Sequence, residues 1–146
     1  MSLDLFRLDK KVVVVSGGLG KLGRQFTLAL IEAGARVAVL DIAVSGNLAQ
    51  GSSRKQSGPD NPLFIYCDIT KRSSVEKAYT EIVQTMGVPS GLVNNAALDS
   101  PPSEAVCDDG RFEDYPESAW DKVMDVNVKG VFLLCQVFGI RTFIIC

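Results

Sequence analysis

The sequence predicts an α/β fold built around a parallel sheet, and three observations carry that prediction. Residues 12–15 read Val-Val-Val-Val, an unbroken β-branched run of the kind found in a strand covered on both faces. After a glycine cluster, Leu22, Phe26, Ala29, Leu30 and Ala33 recur at helical spacing on one face. "ARVAVLD" then reads as a second buried strand. It closes a strand–helix–strand unit in about thirty residues, the length of a parallel crossover.

The other elements follow in order. Gly34 is expected to end the first helix as its C-cap. Residues 43–62 mix Ser, Gly, Asn and Gln with two prolines and show no periodicity, so a long surface loop is expected. "PLFIYCD" is the third strand. A helix follows, opened by a capping box from Ser73 to Glu76 and closed at Gly87, with Val75, Tyr79, Ile82, Val83 and Met86 as its buried stripe. "GLVNNAAL" is a short fourth strand running into a loop. Residues 98–115 are acidic, carry Pro101, Pro102 and Gly110, and should be irregular and exposed. Pro116 can open a helix whose apolar positions include Trp120, Val123, Met124, Val131 and Leu134. "TFIIC" reads as a fragment of a fifth strand.

Composition narrows the function. A chain of 146 residues, 47% apolar, supports one domain with a substantial core. A net charge of -2 leaves no footprint for nucleic acid or an anionic membrane. With no histidine, His-based triads and His metal sites are excluded. The four cysteines are widely spaced without a CxxC pair, as expected of reduced thiols in the cytoplasm. "MSLDLFRLDKK" lacks the apolar core of a signal peptide, and "VFLLCQVFGI" is about half the length of a bilayer span. A soluble, cytoplasmic protein is expected.

The glycine cluster "SGGLGKLG" admits two phosphate readings. A triphosphate loop needs Ser or Thr directly after its lysine to ligate magnesium, and Lys21 is followed by Leu22. That reading fails. What remains is Gly17, Gly20 and Gly23 at three-residue spacing on a strand-to-helix turn, where glycines let the main chain approach a pyrophosphate at a helix N-terminus. Asp41 closes the second strand about twenty residues later, where a carboxylate accepts hydrogen bonds from ribose hydroxyls and repels a 2′-phosphate. The expected cofactor is NAD.

"SGGLGKLG", "CDIT" at 67–70, "NNAA" at 94–97 and "DVNVKGVFLLCQ" at 125–136 stand in the order and spacing of the short-chain dehydrogenase/reductase family, which the chain resembles from residue 9 to about 139. The resemblance implies a doubly wound, Rossmann-like parallel sheet in three α/β/α layers. It places Gly17, Gly20, Lys21, Leu22 and Gly23 at the pyrophosphate, Asp41 and Ile42 at the adenosine ribose, and Asp68 and Ile69 at the adenine. Asn95, Ala96 and Ala97 would pass close to the ribose. Asn127 would support a water-linked proton relay, and hydride transfer between nicotinamide and an alcohol or ketone, including sugar-like ones, is the implied chemistry. Homo-oligomers are implied as well, through the helix matching residues 116–139.

The chain departs from the family pattern in places. Ser16 stands where threonine is usual, and Ala97 where glycine is commoner. The glycine spacing is that of the extended, nucleotide-sugar-modifying branch, whereas "NNAA" and "NVKG" resemble the compact branch. None of the three tyrosines, Tyr66, Tyr79 and Tyr115, has a lysine four residues on, so the family's Tyr-x-x-x-Lys pair is absent from these 146 residues. The expectation is an NAD-binding half, truncated after the fourth or fifth strand. The alternatives are a non-catalytic NAD-binding module, or an epimerase or dehydratase acting on a nucleotide sugar.

Overall fold

The computed structural model describes residues 6–44, 61–99 and 111–139. Within them the chain alternates strands and helices: β1 (Val12–Ser16), α1 (Lys21–Glu32), β2 (Arg36–Asp41), β3 (Leu63–Tyr66), α2 (Arg72–Met86) and β4 (Gly91–Val93). A 3₁₀ turn at Phe112–Asp114 precedes a long helical segment, made of α3 (Glu117–Met124), a π-helical stretch (Asp125–Gly130) and α4 (Val131–Gly139). Most of both long loops, and the expected strand "TFIIC", lie outside the described residues.

The strands form a 4-stranded sheet in the order β3-β2-β1-β4, with every pairing parallel. The valine run occupies β1, between β2 and β4, and is buried along its whole length. Alternate side chains serve opposite faces, as the two-residue period of a strand demands. Val12 and Val14 join Leu40, Ile65 and Leu92 beneath α2 and α4, whose Val75, Ile82, Leu134 and Phe138 complete the larger core. Val13, Val15, Val37 and Val39 face the other way, toward Leu30 and Ile31 of α1. Helices therefore cover both faces, giving the three-layer, doubly wound architecture. Each valine so buried contributes on the order of 1.5–3 kcal/mol.

Two expectations are corrected. The buried face of α1 is Gly23 and Thr27, whereas Leu22 is 67% and Phe26 41% exposed. Small residues face the sheet because the glycine turn brings this end of the helix too close for larger ones. The capping box of α2 does not form, because the N-cap is Lys71, two residues before Ser73. Ser74 instead accepts the Asp68 N–H at 3.0 Å. Gly34, at φ +93°, does follow the end of α1, where its N–H donates to Ile31 O.

Candidate functional site

The parallel sheet sends the C-terminal ends of all its strands to one side, where a cleft of about 860 Å³ opens. Its walls come from the turn after β1, the end of β2 and the loops after β3 and β4, with Val126 added from the π-helical stretch. Gly17, Gly20, Lys21, Leu22, Gly23, Asp41, Ile42, Asp68, Ile69, Asn95, Ala96 and Ala97 all line it. These are the residues that the sequence singled out for a cofactor.

The turn after β1 uses its glycines for different reasons. Gly17 adopts φ +65°, and a Cβ on it would lie 2.7 Å from the Ala96 Cα. A Cβ on Gly23 would lie 2.2 Å from the Gly17 carbonyl oxygen. Both positions are closed by main chain. Gly20 differs: a Cβ there would meet only the Gly17 oxygen, at 3.3 Å, so this glycine leaves the cleft side bare. It is the N-cap of α1 and has no side chain to cap the helix. The first amides of α1 therefore point toward the cleft without a side-chain partner, as anion-binding helix ends do.

Three polar side chains hold the walls together. Asp41 accepts the Leu19 N–H at 3.0 Å on one oxygen and the Ala43 N–H at 2.9 Å on the other. The Ser16 hydroxyl accepts the N–H groups of Asn95 and Ala96, each at 3.1 Å. The Asn95 amide in turn donates to the carbonyls of Ser16 and Gly17, both at 3.0 Å. The turn after β1 is thus bonded to β2 on one side and to the loop after β4 on the other.

At the β3 end, the Asp68 carboxylate accepts the Thr70 hydroxyl at 2.7 Å and the Thr70 N–H at 3.1 Å. Lys71 pairs with its second oxygen at 2.9 Å. Burial alone would raise this carboxyl, but the Thr70 and Lys71 bonds outweigh burial and hold it below the ordinary aspartate value. The same pairing raises Lys71. Beside them, burial pushes the Cys67 thiol up to about 11, despite the Ser74 hydroxyl bond that opposes the shift.

Asn127 stands apart. It lies within the π-helical stretch, and its amide makes a two-point bond to one residue: Oδ1 accepts the Leu98 N–H at 2.8 Å and Nδ2 donates to the Leu98 carbonyl at 3.0 Å. Its side chain ties the loop after β4 to the helix, and its neighbour Val126 is the one that reaches the cleft. Residues that sequence reasoning passed over, among them Leu19, Ala43, Thr70, Leu98 and Asp99, also line the cleft. Only Thr70 carried a signal, since an Asp-x-Thr sequence invites this local bonding. Among the described residues no cluster of Cys, Asp or Glu could hold a metal ion, and no helix is long and apolar enough to cross a membrane.

A parallel sheet with β1 inside, helices on both faces and a glycine turn at the crevice defines the doubly wound, Rossmann-like class. The chain belongs to the short-chain dehydrogenase family, whose sequence pattern matches residues 11–140. The family's members use nicotinamide cofactors. The chain is 35% identical over 127 residues to (+)-borneol dehydrogenase 2 of Salvia officinalis, covering 87% of this chain and 42% of that protein. It is 33% identical over 134 residues to an NAD-dependent glycerol dehydrogenase of Listeria innocua, covering 92% and 48%. The crystal structure of a short-chain type dehydrogenase/reductase from Mycobacterium marinum superposes with a TM-score of 0.76 at 28% identity, covering 97% of this chain and 54% of that one. The chain spans about half the length of the relatives it matches.

Proposed function

We propose that the chain is the NAD-binding half of an oxidoreductase that moves hydride between nicotinamide and an alcohol or ketone of small, polyol- or sugar-like substrates. The observation that carries the reading is Asp41 at the end of β2, facing the same cleft as the glycine turn. The cleft fits a dinucleotide: Gly20 leaves room at the α1 N-terminus for a pyrophosphate, and Lys21 adds a cation there. Asp41 has lone pairs left for ribose hydroxyls, because each of its oxygens accepts one main-chain N–H. Asp68 and Ile69 would meet the adenine, with Ile42 across the cleft and Asn95 to Ala97 beside the ribose. When bound, the nicotinamide ring supplies the hydride acceptor or donor.

The glycerol dehydrogenase likeness supports both NAD and a polyol substrate. A cytoplasmic setting and self-association belong to the same proposal. The latter draws support from Trp120, Val128 and Phe132, each more than half exposed along the last helical segment. For the 146-residue chain itself, binding without turnover is the favoured second reading, because no Tyr-x-x-x-Lys pair occurs in it.

Affinity for the two cofactors tests the proposal. NADH fluorescence titration should show clearly tighter binding than NADPH, since a 2′-phosphate would meet the Asp41 carboxylate at a cost of a few kcal/mol, as of about 4 kcal/mol for unit charges 4 Å apart near a surface. Equal dissociation constants would overturn the NAD assignment.

A further inference from the structure

We infer that Asp41 is a positioning residue for the glycine turn, as well as the group that faces the ribose. Among the described residues the cleft is lined by three carboxylates, of Asp41, Asp68 and Asp99. Asp68 is engaged within its own loop by Thr70 and Lys71. Asp41 is the one bonded across elements: its Oδ2 takes the Leu19 N–H of the glycine turn, 22 residues earlier, while its Oδ1 takes the Ala43 N–H of its own loop. Leu19 lies between Gly17 and Gly20, and the Arg24 guanidinium holds its carbonyl at 2.9 Å. The residue is therefore held at both its N–H and its carbonyl. One grip comes from β2 and the other from the first turn of α1.

The geometry has a consequence for the phosphate side. Gly20 N–H donates to Gly17 O at 3.1 Å, so the turn curls back on itself, and its direction is set by where Leu19 is held. A hydrogen bond to an ionised acceptor is among the stronger ones, and its loss leaves the Leu19 amide without its partner. With the carboxylate in place, the amides at the start of α1 are aimed before any ligand arrives. Preorganisation of that kind lowers the cost of binding.

The inference on turn order stands on the free chain alone, and only its ligand arm rests on the proposed function. Hydrogen exchange of the free chain, read per residue, compares the parent with Asp41→Ala, which leaves no acceptor for the Leu19 N–H, and with Asp99→Asn, which removes a cleft charge without touching Leu19. Exchange at Leu19 and Gly20 should quicken by about ten- to a hundredfold in Asp41→Ala only, with the β1 amides still protected. Unchanged exchange at Leu19 would overturn the inference. So would equal loss of protection along β1, because the carboxylate would then be supporting the sheet rather than the turn. Inorganic pyrophosphate, titrated calorimetrically, gives the second arm. Removing a negative charge should by itself strengthen anion binding, so weaker binding by Asp41→Ala, with equal or tighter binding by Asp99→Asn, supports the positioning role. Pyrophosphate binding at least as tight in Asp41→Ala as in the parent would refute it. A parent chain that binds no pyrophosphate would count against the cofactor reading and leave exchange at Leu19 to decide the positioning role.

Discussion

Replacing Gly23 by alanine should cost this protein about 3–5 kcal/mol of stability. The added methyl would sit 2.2 Å from the Gly17 carbonyl oxygen, 2.7 Å from the Gly18 Cα and 2.9 Å from the Asn95 Nδ2. Two of these neighbours are main chain in a turn already bonded to β2 and to the loop after β4, so they cannot swing aside as a side-chain end can. Overpacking typically costs about 1–3 kcal/mol when neighbours relax, and here the upper end applies. Displacing the Asn95 amide also endangers its two 3.0 Å bonds to Ser16 and Gly17, worth about 0.5–1.5 kcal/mol each. Alanine's better helix propensity offsets roughly 1 kcal/mol of this. Urea unfolding followed by circular dichroism should show the midpoint falling by more than about 1 M, given a slope of about 1–3 kcal/mol per molar for small proteins. Gly20→Ala is the contrast, because its methyl meets only one atom, at 3.3 Å. It should keep the parent midpoint and lose NADH affinity instead. A Gly23→Ala protein that unfolds at the parent's midpoint would refute the close-approach argument.

Four further outcomes are expected. Asn127→Ala should lose about 1–3 kcal/mol by orphaning the Leu98 N–H and carbonyl, seen as a lower melting temperature and faster exchange at Leu98. Because the folded Asp68 carboxyl titrates below its unfolded value, its contribution is complete above about pH 4 and is lost as the pH falls through the folded value. Melting temperature against pH should therefore drop on the acid side, and Asp68→Asn should shallow that drop. No alcohol or ketone should be turned over by the 146-residue chain in an NADH-absorbance assay, since it has no histidine and no Tyr-x-x-x-Lys pair to act as proton donor or acceptor, help worth about 10²–10⁴-fold. Robust turnover abolished by Asn127→Ala would contradict this. Finally, light scattering should show association, because β4 lies at one edge of the described sheet with an unpaired ladder.

Much of the architecture was legible, because buried parallel strands leave uninterrupted apolar runs and β1, β2 and β3 each carry one. The cleft-lining residues were legible for a different reason: their positions take glycine, a carboxylate or small residues, and those choices survive as residue types. What escaped was whatever depended on distance. The first half of the α1 face was misassigned because close approach selects Gly23 and Thr27 over Leu22 and Phe26, whereas Leu30 of the same stripe does pack on the core. The start of α2 was misassigned because the helix already begins at Arg72, which puts Ser73 inside the first turn instead of at the N-cap. Leu19, Ala43 and Leu98 meet the cleft through their place in a loop, for which no side-chain type is needed. Asn127 was rightly singled out as odd within a helix. Its amide partner, Leu98, lies 29 residues away and could not be read from either residue.

The walls of the cleft also differ in how far along the chain they reach. The Leu19–Asp41 bond closes a loop of 22 residues, and the Ser16–Asn95 bond one of 79. Nearly two doublings of loop length add about 1 kcal/mol of closure entropy to the second bond. The strand behind it, β4, is three residues long and pairs only with β1 among the described strands. Assembly should accordingly run in a set order, with the Asp41 wall formed first and the Asn95 wall joined to it last. Thermal opening should retrace that order, so that the cleft comes apart from the Asn95 side while the glycine turn is still in place.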